Sequence, residues 1–263
     1  MDNFSKLSLL FPYKIILNYM KVEEKSLLHG VRSFIAGVNL IRQPGLKRFV
    51  IIPLFINMGL FSGASWWLWV YLSSTVDAML PSWLAWLTWL ILPVFMLSIL
   101  CVVYYSFTLL ANIIAAPFYG QLAKAVEARL KGHPMPDVET GSLLKEVPNM
   151  LGSEVRKLFY YLVRAIPLLL LSLIPGLNII TLPLWLAFSA WFLTFEYTGY
   201  SFENHNILFD QQKHLLKASR LNTMSFGGIS LLATTIPVVN LFAPAVAVAG
   251  ATKMLVDRGE LGQ

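Results

Sequence analysis

The sequence predicts an all-α integral membrane protein. It would have two long transmembrane helices, two re-entrant helical hairpins that enter the membrane only part-way, and amphipathic cytoplasmic helices. Three observations carry this. First, charges are segregated: no Asp, Glu, Lys or Arg lies between Arg48 and Asp77, Asp77 and Lys124, Arg164 and Glu196, or Arg220 and Lys253. A hydrocarbon core of about 30 Å needs roughly 20 apolar residues as a helix, and each stretch exceeds that. Second, the 263 residues are 57% hydrophobic and 13% charged, against roughly 25% charged in a soluble domain. Third, the net charge of +6 is unevenly placed. Basic residues crowd segments 1–48 and 124–164 and recur at Lys213, Lys217, Arg220, Lys253 and Arg258, while the link at Asp77 holds none. Lys and Arg resist translocation, so the N-terminus and everything charged after residue 123 is placed in the cytoplasm and the Asp77 link outside.

Taken in order, residues 1–27 form an extension that is amphipathic or disordered. No cleavable signal peptide is visible, because charges are scattered through it and no small-residue cleavage site follows. Residues 28–257 make one membrane domain and 258–263 a tail. Apolar Leu27, Val31, Phe34, Ile35, Val38 and Ile41 recur at a helical period over residues 26–42, and Pro44-Gly45 ends that helix in a sharp turn. The first span covers about 49–72, with Pro53 near its start, where it is tolerated. Trp66, Trp67, Trp69 and Tyr71 at its far end, and Trp83, Trp86 and Trp89 beyond the link, mark the far interface. The second span, about 82–123, runs on into the charged amphipathic QLAKAVEARL. A loop over 131–142 and an amphipathic helix from about Leu143 follow.

The last two apolar stretches must leave the cytoplasm and return to it, so each reads as a hairpin, about 165–195 and 221–252. Both carry I-P-x-x-N near the middle, at Ile174–Asn178 and Ile236–Asn240. Arms of about 10–17 residues are too short to cross twice at 1.5 Å per residue. Paired, Pro-interrupted hydrophobic segments point to a transport path. Turn backbone cannot face lipid unsatisfied, so the tips either pack against each other and the two long helices or are covered by another subunit, which argues for a homo-oligomer.

The segment Gln43–Phe49 is the leading candidate site. It turns directly into the first membrane helix, whose opening amides lack internal partners and carry the positive end of the dipole. Lys47 and Arg48 sit there instead of the usual acids. Free amides of Gly45 and Leu46 with these two cations would make an anion site; the competing reading is topological signalling or contact with lipid headgroups. Glu127 and Arg129, on the helix leaving the second span, and Asn178 and Asn240, in the hairpin turns, are candidates for a pore or entrance. A solvated face and turn capping are the plainer readings of these four, and Arg156, Lys157 and Arg164 are likewise read as a pore mouth or a solvated face. His205 is expected to tie its loop by hydrogen bonds. No P-loop, H-E-x-x-H or G-x-S-x-G is present, and Cys101 stands alone. No enzyme activity, cofactor, metal or nucleic-acid partner is expected.

QPGLKRFVIIPLFIN (43–57), ANIIAAPFYGQLAKAVEARL (111–130), RAIPLLLLSLIPGLN (164–178), SFENHN (201–206) and the block from Met224 to Thr252 together resemble the CysZ family of bacterial sulfate permeases, over about residues 28–257. The resemblance implies two long spans with two partly inserted hairpins, oligomeric assembly, and sulfate uptake through the bacterial inner membrane for assimilation into cysteine. It also implies a sulfate-binding Gly-Leu-Arg-Arg turn, which Gly45, Leu46 and Arg48 match. Lys47 departs from it, keeping charge but losing the planar fork that holds an oxyanion through two bonds. Channel-like and proton-dependent transport are both compatible with these residues. The alternatives are a membrane scaffold or regulator without transport of its own, and an embedded enzyme, which the lack of a catalytic cluster disfavours.

Overall fold

A computed structural model describes residues 27–79, 94, 97, 115–134 and 140–261. Every regular element among them is α-helical. We number them α1 (Leu27–Ile41), α2 (Arg48–Met79), α3 (residues 115–131), α4 (Thr140–Ser172), α5 (Asn178–Asn204), α6 (Phe209–Ala218), α7 (Arg220–Thr235), α8 (Pro237–Asn240) and α9 (Ala243–Asp257). The chain divides into two compact units, one within Met1–Lys47 and Tyr119–Gln263, the other within Arg48–Phe118.

In the second unit, α2 is the expected first span, but longer. It runs through Asp77 instead of ending in a link there. Residues 72–79 hold no Gly or Pro to stop the helix, and it is helical to Met79, the last described residue of this stretch. Its Arg48–Trp67 portion is long and apolar enough to cross a membrane, and Ile51, Phe55, Met58, Trp66 and Trp67 are exposed, Trp66 at 72%. Apart from helical residues 94, 97 and 115–123, the second span and its tryptophans lie outside the described residues, as does the extension before Leu27.

The first unit is a bundle built on small residues. In α1, Gly30 lies against Asn222, Ser225 and Phe226 of α7, and Gly37 against Val246 and Gly250 of α9. On α7, Gly227 abuts the backbone of Ala190 in α5. Missing side chains at these points let helices approach to backbone contact, the mode that joins helices where no hydrophobic difference drives them together. Hydroxyls bind the same contacts: Thr194 Oγ1 donates to Thr223 O (2.6 Å), and the Ser201 and Thr252 hydroxyls are 2.8 Å apart. Beneath them Tyr160, Phe195 and Phe209 stack and cross with centroids 5.0–5.7 Å apart.

Helices α4 and α5 form an antiparallel hairpin about the turn at 173–177. Trp185 Nε1 donates to Ser172 Oγ (3.0 Å) near the tip, Tyr161 meets Phe188 and Phe192, and Trp191 Nε1 donates to Tyr160 Oη (3.2 Å) further down. At the base Lys157 Nζ pairs with Glu203 Oε1 at 2.8 Å. Lys157 is 2% exposed, so it lies neither at a pore mouth nor on a solvated face. The arms exceed the expected 10–17 residues, at 33 and 27, because each helix continues past its apolar part into the charged segment. Helix α4 also starts inside the expected 131–142 loop, of which residues 132–134 are non-helical. The second apolar stretch breaks at Ile236, whose ψ of 114° is extended, and again at 241–242, leaving α7 and α9 of 16 and 15 residues about the short α8.

Candidate functional site

The Gln43–Lys47 turn follows from its residue order. Proline at the second position and glycine at the third is the signature of a type II turn, whose third residue needs positive φ. Gly45 has φ 88° and Leu46 N–H donates to Gln43 C=O at 3.2 Å. This corrects one expectation: the Leu46 amide is not free for an anion, because a type II turn closes with it. The Gln43 N–H in turn donates to Leu40 C=O (3.0 Å), joining the turn to the end of α1. The Leu46 side chain is fully buried, and this anchors a turn whose neighbours Pro44, Gly45 and Lys47 are exposed. Arg48, also exposed, is the first residue of α2, and its guanidinium carbon lies 4.9 Å from the centroid of the Phe49 ring. The opening amides of α2 keep the shortage of partners common to all helix starts.

Of the entrance candidates, Arg129 meets this turn. Its Nε donates to Gln43 Oε1 at 3.2 Å, across 86 residues of chain. Glu127 does something else. Two residues away on a helix, its side chain leaves the opposite side, where Oε1 is 2.8 Å from Lys131 Nζ and Oε2 is 2.7 Å from His205 Nε2. Burial pushes its carboxyl up, but hydrogen bonds and charge from Lys131 and His205 outweigh this and hold it below its ordinary value. His205 caps α5 and so ties the end of that helix to α3 rather than its own loop. Asn204 Nδ2 adds a bond to Gly120 O (3.0 Å). Asn178 and Asn240 are exposed at the turns of the two hairpins.

Sequence reasoning placed Gln43 in the candidate segment but gave its side chain no role. The signal was available, since Q-P-G itself announces the turn that makes Gln43 its acceptor, but the bond to Arg129 is tertiary. The Ile174–Asn178 turn, read from sequence only as the break in a hairpin, is a second turn of the same kind. Ile174–Leu177 repeats Pro-Gly-Leu before a helix, with Gly176 at φ 88° and Leu177 N–H donating to Ile174 C=O at 3.2 Å. One copy is flanked by Gln43, Lys47 and Arg48, the other by Leu173, Ile174 and Ile179.

Comparison with known proteins places the chain. A family model described as "Sulfate transporter CysZ/Etoposide-induced protein 2.4" matches residues 33–244. The sulfate transporter CysZ of Pectobacterium atrosepticum is 46% identical over 233 residues, covering 87% of this chain and 85% of that protein. Those of Salmonella typhimurium and Salmonella typhi are each 44% identical over 232 residues, covering 87% of this chain and 92% of theirs. With its hairpins and its cationic turn before a membrane-length helix, and with this likeness over most of its length, the chain belongs to the sulfate transporter CysZ family.

Proposed function

We propose that the chain transports sulfate through the bacterial inner membrane into the cytoplasm, as a multi-pass, homo-oligomeric permease, and that the turn at Gly45, Lys47 and Arg48 receives the ion, with Leu46 as its anchor. The observation that carries the reading is relatives named for sulfate transport that match 87% of the chain, on a sequence that sets two exposed cations at the mouth of a membrane-length helix. A divalent anion cannot enter hydrocarbon bare, so fixed donors must replace its water at each stage, and weakly enough to let it go. Lys47, Arg48 and the polarised amides opening α2 supply the first such stage. The Leu46 amide serves the turn rather than the ion, and the Leu46 side chain holds the turn in place.

The hairpins enter the bilayer part-way and return. Helices α7 and α9, at 16 and 15 residues, reach about 24 and 22 Å, short of the roughly 30 Å of a full crossing. Helix α5 passes the length and composition test for a span. However, Thr194 to Phe202 are buried except for the half-buried Glu196, and the exposed apolar residues gather from Ile179 to Leu186. That leaves an inserted portion of about 20 Å. Asn178 and Asn240 lie exposed at the tips, where a second subunit covers the turns. Sulfate so delivered feeds assimilation into cysteine.

Radiolabelled sulfate uptake by purified protein in liposomes tests this. Wild type should exceed empty vesicles, and Lys47→Ala with Arg48→Ala should abolish the excess while leaving the protein monodisperse. Wild-type uptake from the double variant would overturn the site. A purified wild type without flux would favour the scaffold reading.

A further inference from the structure

We infer that Arg129 is a third cation of the oxyanion site and supplies the planar fork that Lys47 lacks, with Gln43 as the residue that positions it. This rests on the reading of the 43–48 turn as the place where sulfate binds.

The argument starts from geometry. Gln43 is joined to the turn by both backbone groups, its N–H to Leu40 C=O at 3.0 Å and its C=O to Leu46 N–H at 3.2 Å. Its side chain therefore projects from a backbone fixed at both ends. The amide oxygen accepts from Arg129 Nε at 3.2 Å. An arginine held through Nε keeps both Nη groups for another acceptor, and these can hold an oxyanion through two parallel bonds. In a turn closed by an i to i+3 bond, the first and fourth α-carbons lie within about 7 Å. The guanidinium beside Gln43 and the ammonium of Lys47, one residue past the turn, thus belong to the same short stretch of backbone, and in this inference one tetrahedral dianion engages both.

Charge accounting on α3 points the same way. Arg129 is exposed, and the acid nearest in sequence, Glu127, leaves the opposite side of the helix, where Lys131 and His205 occupy its two oxygens. Among the described residues no carboxylate is paired with Arg129, so its positive charge faces whatever approaches the turn. Lysine offers a point charge with no fixed donor geometry, whereas arginine offers a plane. A turn that carries lysine at 47 and draws in an arginine from another helix has both charge and fork.

The test is a cycle between positions 47 and 129, read as the KM and maximal rate of sulfate uptake in liposomes. Arg129→Lys, which keeps the charge and removes the fork, should raise KM about tenfold while the maximal rate changes by less than about threefold. Adding Lys47→Arg should return most of that loss, whereas Lys47→Arg alone should improve KM by no more than about twofold, because the fork is already present. Gln43→Met, which keeps the length and removes the acceptor, should raise KM about three- to fivefold. If Lys47→Arg changes KM by the same factor in the wild-type background as in the Arg129→Lys background, the two side chains do not serve one ion and the inference is overturned. A gain of affinity on adding Lys47→Arg cannot come from misfolding, so poor expression of one variant does not decide the result. An unchanged KM in Arg129→Lys, alongside loss of uptake in Lys47→Ala with Arg48→Ala, removes Arg129 and Gln43 and leaves the turn. Normal uptake by the latter variant removes the turn as well.

Discussion

Two adjacent glycines on α7 should respond oppositely to the same added methyl group. At Gly227 a Cβ would overlap the Ala190 carbonyl oxygen of α5 and come within 2.5 Å of both that carbonyl carbon and Thr194 Oγ1. Carbon contacts settle near 3.5–4.0 Å, so α5 and α7 must part by about 1 Å. Overpacking of this kind costs about 1–3 kcal/mol. It also threatens the Thr194 hydroxyl, which donates to Thr223 O at 2.6 Å in a fully buried place, adding about 1 kcal/mol. The relief of glycine's backbone entropy returns only about 0.5–1 kcal/mol. Gly227→Ala should therefore be destabilised by about 2 kcal/mol. At Gly228 nothing lies within 4 Å of the added atom, so only the entropy term acts and Gly228→Ala should gain about 0.5–1 kcal/mol. Thermal melting in detergent, followed by size-exclusion recovery, ranks the three proteins. Gly227→Ala melting at or above Gly228→Ala would refute backbone-to-backbone packing of α5 on α7.

The two type II turns offer a matched pair. Gly45→Ala and Gly176→Ala each force a Cβ into a backbone with φ 88° and should each cost about 1–2 kcal/mol, visible as similar losses of melting temperature. Only Gly45→Ala should also weaken sulfate binding, measured with labelled ion on the purified protein. The Glu127 tie sets a pH dependence. Its carboxyl is held below its ordinary value, so its contribution is present at neutral pH and is lost as pH falls through that lowered value. Melting of wild type and Glu127→Gln compared from pH 7 downward should show a deficit for the variant that closes in acid; a deficit that grows in acid would contradict the assignment.

The parts of this fold legible in the sequence are those set by solvent preference and local geometry. Four charge-free stretches announce apolar helices whatever they pack on, and the spacing of Phe34, Val38 and Ile41 locates the end of α1 at Ile41 to within a residue. The unreadable parts are set by partners distant in the chain. Lys157 sits in a basic run that reads as surface, yet Glu203, from the far end of α5, meets it at the hairpin base and lets it be buried. Asp77 reads as a link because it is charged, but one charge does not end a helix that lacks a breaker, and the helix runs through it.

The site divides along the same line. Gly45, Lys47 and Arg48 are visible because a glycine turn and misplaced cations at a helix start are local facts. The use of the Leu46 amide is equally local: Pro44-Gly45 requires it, and reading the turn and the anion site as independent misses the conflict between them. Arg129 cannot be assigned from sequence, since nothing on its own helix separates a solvated arginine from one aimed at a ligand. Its contact with Gln43 is the ground for inferring the second, and under that inference the Lys47 departure changes its meaning. A turn reading Lys-Arg looks like a weakened site only while the turn is considered alone. With a guanidinium brought to Gln43 from α3, the inferred site would keep bidentate recognition at the turn, supplied from another helix. A change at position 47 should then be judged by what stands at position 129.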